Sequence, residues 1–302
     1  MEVPDQAIAG ALVELFKLPE EAVKSIRDSM QALGLGFAEA ALHTGLVTEN
    51  ELMQARAWVS RQSSEQSQGR SLIELAMRRD AGRREVMLWE GERLRPGPSL
   101  LLAHDPDSPR SETIRGLRTE LLLRTGGKRG AVVFALLSPG AGEGRSQLCA
   151  ELAIAFAQLG NKTLLVDADL RNPRQHKLFG ADNQLGLAQA LEDSRAQRLY
   201  GVEGVPQMAL LTSGVLPPNP LELLSGVGFE RLVNDWRRTF EFVLIDTPPT
   251  SKSSDGLAIA TIAANVLVLG RAKSTSFAAL GEMRRKIETT RARILGAVIN
   301  NF

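Results

Sequence analysis

Two aspartates one residue apart, Asp167 and Asp169, close the apolar run Thr163 to Val166 shortly after a glycine-rich turn. The turn, Ser138-Pro-Gly-Ala-Gly-Glu-Gly-Arg-Ser146, comes after another apolar run, Ala131 to Leu137, and precedes Leu148, Leu152, Phe156 and Leu159 at helical spacing. A strand, glycine turn and helix in this order bring backbone N–H groups and the positive end of a helix onto a phosphate. Two acids beside a polyphosphate repel it unless a metal stands between them, which points to Mg2+ held largely through water. The chemistry implied is that of a Mg-nucleotide. Gly140, Gly142 and Gly144 supply the backbone of the cradle, with Ala141, Glu143, Arg145, Ser146 and Gln147 as its other members. The Ser146 hydroxyl, Asp169 and Asp246 are the expected metal ligands. Asp167, Asp169 and Arg145 are the expected catalytic residues, one of the two aspartates acting as base towards a hydroxyl or water.

Asp246 ends the apolar run Phe242-Val-Leu-Ile-Asp246 and precedes Thr247-Pro-Pro249. Alone it reads equally well as a turn-forming aspartate before the prolines. Beside the other two elements it reads as the third acid of the metal site. Arg145 stands where a phosphate loop carries lysine, and Pro139 where it carries its first glycine. Arginine keeps the charge, but its planar head cannot reproduce the position of a compact ammonium, so binding is expected to survive while transfer slows. Glu143 reads as a solvated loop acid, and His176 as a surface loop histidine.

The elements that must position these residues alternate. Strand candidates are Ala131 to Leu137, Thr163 to Asp167, Met208 to Thr212, Phe242 to Asp246, Val266 to Leu269 and Ile294 to Ile299, most separated by helical spacers. This alternation predicts an α/β fold with a mainly parallel sheet sandwiched by helices. Ligands of such sheets lie at the carboxyl ends of the strands, where Ser146, Asp167, Asp169 and Asp246 should converge. Residues 1–65 read as helices only, with Pro19 and Thr48 as start signals, and form a small all-α domain expected to dock a protein. Residues 66–104 read as a linker region that overlaps the polar stretch Arg61 to Arg70 and carries prolines from Pro96 onward, leaving 105–302 as the nucleotide domain.

Composition narrows the partners. With 36 basic and 35 acidic side chains, the net charge of +1 gives no reason to invoke nucleic acid or an anionic bilayer. The single cysteine, Cys149, excludes an internal disulfide and reads as a buried helix residue; with no signal-peptide pattern, the cytoplasm is the expected compartment. No apolar run approaches the roughly 18 residues that span a bilayer, so a membrane role is expected only through a partner.

Leu164-Leu-Val-Asp167-Ala-Asp169-Leu-Arg171 resembles the Walker A' motif of the bacterial tyrosine kinases (BY-kinases), and Leu244-Ile-Asp246-Thr-Pro-Pro249 resembles their Walker B. Thr212-Ser-Gly-Val-Leu-Pro-Pro-Asn-Pro-Leu-Glu-Leu-Leu224 resembles their Pro-Pro-Asn-Pro segment. Glu112-Thr-Ile-Arg115-Gly-Leu-Arg118 resembles their E-x-x-R-x-x-R oligomerisation helix. Its three charged residues lie within an arc of roughly 120° on a helix, and alone would read as a solvated, salt-bridged face. The resemblance covers 105–302. It implies a P-loop NTPase of the deviant Walker, MinD-like kind, with ATP and Mg2+ as cofactors and protein tyrosine kinase activity. It also implies a homo-oligomeric ring in which Glu112 of one subunit meets an arginine of the next. The implied partner is a membrane polysaccharide co-polymerase, whose cytoplasmic segment completes the active site and recruits the chain to the inner membrane for exopolysaccharide polymerisation and export.

The Gly-Glu-Gly-Arg-Ser turn, Asp169-Leu-Arg-Asn-Pro-Arg-Gln-His176 and Phe37 to Thr48 resemble the EpsG-type, exosortase-associated chain-length-determinant kinases, a branch in which the arginine is the usual residue. One departure remains. The family ends in a tyrosine-rich tail, whereas this sequence has one tyrosine, Tyr200, in a segment that reads as connecting. Tail autophosphorylation is therefore not expected, and an ATP-binding assembly switch with little phosphoryl transfer stays open beside the kinase. A ParA/MinD positioning ATPase shares the fold and Walker B, but would carry a signature lysine where this chain has Gly140.

Overall fold

The computed structural model describes residues 5–16, 18–34, 36–55, 58–59, 92–125, 130–193 and 197–301. They fall into two units that divide between Glu74 and Leu75. The first holds helices α1 (Asp5–Phe16), α2 (Glu20–Leu33), α3 (Phe37–His43) and a helical stretch over 49–55 and 58–59 (α4). Pro19 caps the start of α2, and Gly34 ends it at φ 67, a conformation glycine takes without strain. Thr48 opens α4 with a capping box: its hydroxyl accepts the Glu51 N–H at 3.3 Å, and the Glu51 carboxylate accepts the Thr48 N–H at 2.8 Å. Ile8, Leu12, Ile26, Phe37, Ala41, Ala55 and Val59 close a small core of their own. The polar stretch 61–70 and the short helical piece after it lie outside the described residues.

The second unit runs β1 (Arg93–Leu94), α5 (Leu101–His104), α6 (Pro109–Thr125), β2 (Val132–Leu137), α7 (Arg145–Gln158), β3 (Thr163–Asp167), α8 (Gln175–Phe179) and α9 (Leu187–Glu192). It continues β4 (Tyr200–Val202), β5 (Val205–Leu211), α10 (Pro220–Ser225), α11 (Val227–Thr239), β6 (Phe242–Asp246), α12 (Asp255–Ala263), β7 (Asn265–Arg271), α13 (Phe277–Glu288) and β8 (Arg293–Asn300). One eight-stranded sheet results, in the order β1-β4-β5-β3-β6-β2-β7-β8. All neighbours pair in parallel except β4 with β5. This is the mainly parallel, helix-sandwiched sheet expected from the alternation, in the P-loop NTPase arrangement that the resemblance implies. β1 and α5 fall in the segment that reads as linker, yet they belong to this unit: Arg93 pairs with Gly201, and the Glu151 carboxylate of α7 accepts the N–H groups of Leu101 and Leu102 at 2.9 and 3.0 Å. β4 makes a strand of what reads as a connecting segment. Tyr200 on it is buried, and its hydroxyl donates to the Asp182 carbonyl at 3.1 Å.

Strands β2, β3 and β6 are buried along their whole length and alternate between two cores. Phe134, Leu136, Leu165, Phe242 and Leu244 pack on the side of α7. Val133, Ala135, Leu137, Leu164, Val166, Val243 and Ile245 pack on the other, against α11, α12 and α13. Phe156 of α7 stacks on Phe242 at 4.2 Å and on Phe134 at 5.8 Å between ring centroids, which seats α7 across β2 and β6. Each buried ring contributes roughly 1.5–3 kcal/mol. Cys149, in the middle of α7, is fully buried as expected. Period two continues to the strand ends, so Asp167 shares the face of Leu165 and Asp246 that of Leu244. Both acids therefore leave the sheet on the side where α7 begins.

Candidate active site

Register completes what parity starts. Asp167 of β3 sits directly opposite Asp246 of β6, and Asp246 opposite Leu136 of β2, the strand that feeds the glycine turn. Both aspartates are fully buried. Burial pushes the Asp167 carboxyl well above its ordinary value of 3.8, and the charge of Asp246 pushes it further. Burial also raises Asp246, opposed by the Arg145 guanidinium and by donors from Ser146 and Gln175. Asp167 Oδ2 accepts the N–H groups of Gln175 and Arg174 at 2.8 and 3.0 Å, and Oδ1 that of Asp169 at 3.3 Å, which pins the start of α8 to the end of β3. Asp169 closes its own turn, with Oδ1 accepting from Asn172 and Arg171 at 2.9 and 3.2 Å.

In the glycine turn, Gly142 and Gly144 adopt φ values of 75 and 89, which a residue with a Cβ takes only with strain. Gly144 caps α7, whose first-turn N–H groups have no intrahelical acceptor and sit beside the acids. Ala141 lies exposed at the tip. Glu143 corrects the expectation of a solvated loop acid: it is 5% exposed. Its Oε1 accepts from the Thr275 hydroxyl, and its backbone carbonyl accepts from the Asn300 amide at 3.2 Å, tying the turn to the ends of β7 and β8. A Cβ on Gly140 would come within 3.1 Å of Glu143 Oε1, so glycine there lets Glu143 fold under the loop. The Gln147 side chain does not face the cradle, since it donates to the Ser99 carbonyl at 2.6 Å; only its backbone remains near the phosphate end of α7.

Arg145 stands at the centre and is 7% exposed. Its Nε donates to Asp246 Oδ1 at 3.2 Å, Nη1 to Ser138 Oγ at 2.6 Å and Nη2 to Asp169 Oδ2 at 3.4 Å. Opposite it lies Gln175, a fully buried residue with no signal in the sequence pattern. Its amide donates to Asp246 Oδ2 at 2.9 Å and to the Ser146 carbonyl at 3.0 Å, while its Oε1 is buried and lacks a partner among the described residues. A second unannounced contact steadies the loop after β3: the Arg171 guanidinium grips the buried Asp255 carboxylate at 2.7 and 3.1 Å. An acid in the first turn of a helix was a signal available for Asp255. Gln175 had none, because its amide partners lie 29 and 71 positions away in the chain. His176 is half-buried within α8 rather than on a surface loop, and burial lowers its imidazole.

The donor set is all oxygen and suits a hard, hydrated cation: Ser146, Asp169 Oδ2 and Asp246 Oδ1. No group of three or more His, Cys, Asp or Glu able to hold a metal ion is present among the described residues. The orphaned acceptor Gln175 Oε1, on the amide that donates to Asp246, suits a water on such an ion. Glu112, Arg115 and Arg118 are not brought to this site. On α6, Arg115 pairs with Glu112 at 3.3 Å, and Arg118 Nη1 donates to the Ala155 carbonyl of α7 at 3.1 Å.

A family model described as cellulose biosynthesis protein BcsQ matches residues 133–293. The tyrosine-protein kinase YwqD of Bacillus subtilis is 33% identical over 204 residues, covering 67% of this chain and 85% of YwqD. The putative tyrosine-protein kinase EpsB of Ralstonia nicotianae is 33% identical over 205 residues, 68% of this chain, and the match spans 27% of EpsB. Among solved structures, the kinase domain of the Escherichia coli tyrosine kinase ETK aligns with a TM-score of 0.63 at 25% identity, covering 70% of this chain and 83% of that domain.

Proposed function

Because the chain belongs to the bacterial tyrosine kinase family, we propose that it is an ATP- and Mg2+-dependent protein tyrosine kinase and ATPase acting in exopolysaccharide polymerisation and export. One observation carries this reading. Arg145, Asp169 and Asp246, from three separate stretches, meet within hydrogen-bond distance at the carboxyl edge of the sheet, with Asp167 alongside. The backbone of Gly140 to Ser146 and the first turn of α7 hold the phosphates. Ser146, Asp169 and Asp246 would hold Mg2+, which when bound neutralises charge on the transferring phosphoryl group. Asp167 in its ionised form, made more basic than an ordinary carboxylate by burial, accepts the proton of the attacking tyrosine hydroxyl as the bond to the ADP leaving group breaks.

The resemblance of the Gly-Glu-Gly-Arg-Ser turn and of Asp169 to His176 to the EpsG-type branch supports a membrane polysaccharide co-polymerase as partner, with its cytoplasmic segment completing the site. Recruitment from the cytoplasm to the inner membrane would come through that partner, since no helix among the described residues is long and apolar enough to cross a membrane. Glu112, Arg115 and Arg118 would join subunits in a ring, and the helical unit would dock a protein.

The test is ATP turnover and tyrosine phosphorylation by the purified chain mixed with the co-polymerase segment. Native protein is expected to show both, and Asp167→Asn to lose about 100-fold or more of the transfer rate. Absence of both from native protein, or an unaffected Asp167→Asn variant, refutes the kinase. A second reading, an ATP-binding assembly switch with little transfer, is favoured by the burial of Tyr200, whose hydroxyl already donates to Asp182. ATP-dependent assembly in gel filtration without any phosphotyrosine would select it.

A further inference from the structure

We infer that Arg145 is the element that couples metal and nucleotide binding: the guanidinium holds the carboxylates of Asp169 and Asp246 until a phosphate draws it away. The inference rests on the nucleotide-site reading and goes beyond it. Every nitrogen of the guanidinium already has an acceptor, and the two charged ones are the carboxylates best placed for a divalent ion. Arg145 is the first residue of α7, so its backbone is held by the helix and only the side chain is free to change partners.

Charge balance couples the two binding events. A phosphate alone takes the guanidinium and leaves Asp169 and Asp246 buried without a cation, with the fully buried Asp167 beside them. A divalent ion alone takes the carboxylates and leaves a buried guanidinium without an anion. Each half-filled state strands charge at low dielectric, which is costly. With both present every charge is paired. The two ligands therefore strengthen each other, and by linkage each raises the affinity of the other by the same factor. Gln175 keeps the exchange local: its amide retains Asp246 Oδ2 when Arg145 leaves Oδ1, so a single oxygen of Asp246 is released. The unpartnered Gln175 Oε1 is then available to a water on the incoming ion. Arginine suits this latch better than lysine, because its planar fork reaches three acceptors at once.

The test titrates the full chain with Mn2+ as probe of the metal site, without nucleotide, tracking free aquo ion by electron paramagnetic resonance and melting temperature in parallel. Binding of a fluorescent ADP analogue is measured separately with and without Mg2+. Native protein is expected to bind Mn2+ weakly alone and more tightly with ADP. Arg145→Met is expected to bind Mn2+ without nucleotide about 5–150-fold more tightly than native, the usual range of coupling between linked sites. Its melting temperature should rise on Mn2+ alone, where that of native barely moves. Arg145→Lys keeps a cation in the loop and should stay as insensitive to Mn2+ alone as native. Equal Mn2+ affinities of native and Arg145→Met, failure of Mn2+ to stabilise Arg145→Met, or Arg145→Lys behaving like Arg145→Met would each overturn the inference. Failure of native protein to bind the ADP analogue under any condition would instead remove the nucleotide reading.

Discussion

Two arginines in this chain face carboxylates under opposite conditions. Arg145 is sealed at the carboxyl edge of the sheet with Asp169, Asp246 and Ser138 around it. Arg115 lies on the surface of α6, its side chain 28% exposed, with one partner, Glu112, at 3.3 Å. In the interior a guanidinium without its anions has nowhere to turn, so the contacts are obligatory and any change must exchange one partner for another. On the helix, water replaces Glu112 at little cost, so the pair is free to open and meet a different chain. A buried ionic contact of this kind can change only by exchanging partners, whereas a surface one leaves the choice of partner open.

The sharpest way to break the contrast is to delete both cations. Arg145→Met leaves Asp167, Asp169 and Asp246 buried without a counter-charge and is expected to cost about 3–5 kcal/mol in urea denaturation without divalent ions. Arg115→Met loses one exposed i,i+3 pair and is expected to stay within about 1 kcal/mol of native. Equal losses would mean that the two environments do not differ in the way their burial implies.

The buried side of the contrast was only partly legible in the sequence. Asp167, Asp169 and Asp246 were readable because each stands at the end of a long apolar run, and period two then fixes the face on which Asp167 and Asp246 emerge. The turn was readable because its glycines are contiguous with the start of a helix. β3 and β6 match their expected spans, whereas β1 and β4, two and three residues long, are too short to show a period and exist only through pairing at the sheet edge. Gln175 and Ser138 illustrate the remainder. Ser138 takes its role from Arg145, seven positions on at the other end of the glycine turn, and Gln175 takes its role from Asp246, which only the pairing of β3 with β6 brings near. Glu143 likewise is buried by residues distant in sequence, Thr275 and Asn300, which follow β7 and end β8, the two strands on one side of β2 in the sheet.

A smaller effect sharpens the comparison through pH. The Asp167 carboxyl is raised in the folded protein by burial, so between its ordinary value of 3.8 and its folded value the native state holds more protons than the unfolded state. Stability from this group is therefore fully present at low pH and is lost as pH rises through the folded value. Asp167→Asn does not titrate. Whatever constant offset its altered hydrogen bonds bring, its stability relative to native is expected to improve as pH rises from about 4 towards 8. Urea titrations of both proteins across that range read the difference directly, and a flat difference would mean that the N–H groups of Arg174 and Gln175 offset the burial.

The smallest effect on the single chain belongs to the surface side. Glu112 is 75% exposed and its only described side-chain partner is Arg115, so Glu112→Ala is expected to change unfolding free energy by roughly 0.5 kcal/mol or less. If the same carboxylate also meets an arginine of a neighbouring subunit, its removal acts where both partners are desolvated together, and the cost appears in assembly instead. Light scattering of native protein in Mg-ATP is then expected to give a mass several-fold above the chain's 32.8 kDa, and Glu112→Ala a mass near that of one chain. Arg118 supplies the control within the same helix. Its Nη1 is already engaged by the Ala155 carbonyl of α7, so Arg118→Ala removes an intrachain contact as well and should lower both stability and mass. Loss of mass without loss of stability in Glu112→Ala would assign the pair to association. Unchanged mass in both variants would leave α6 as a solvated face of a monomer.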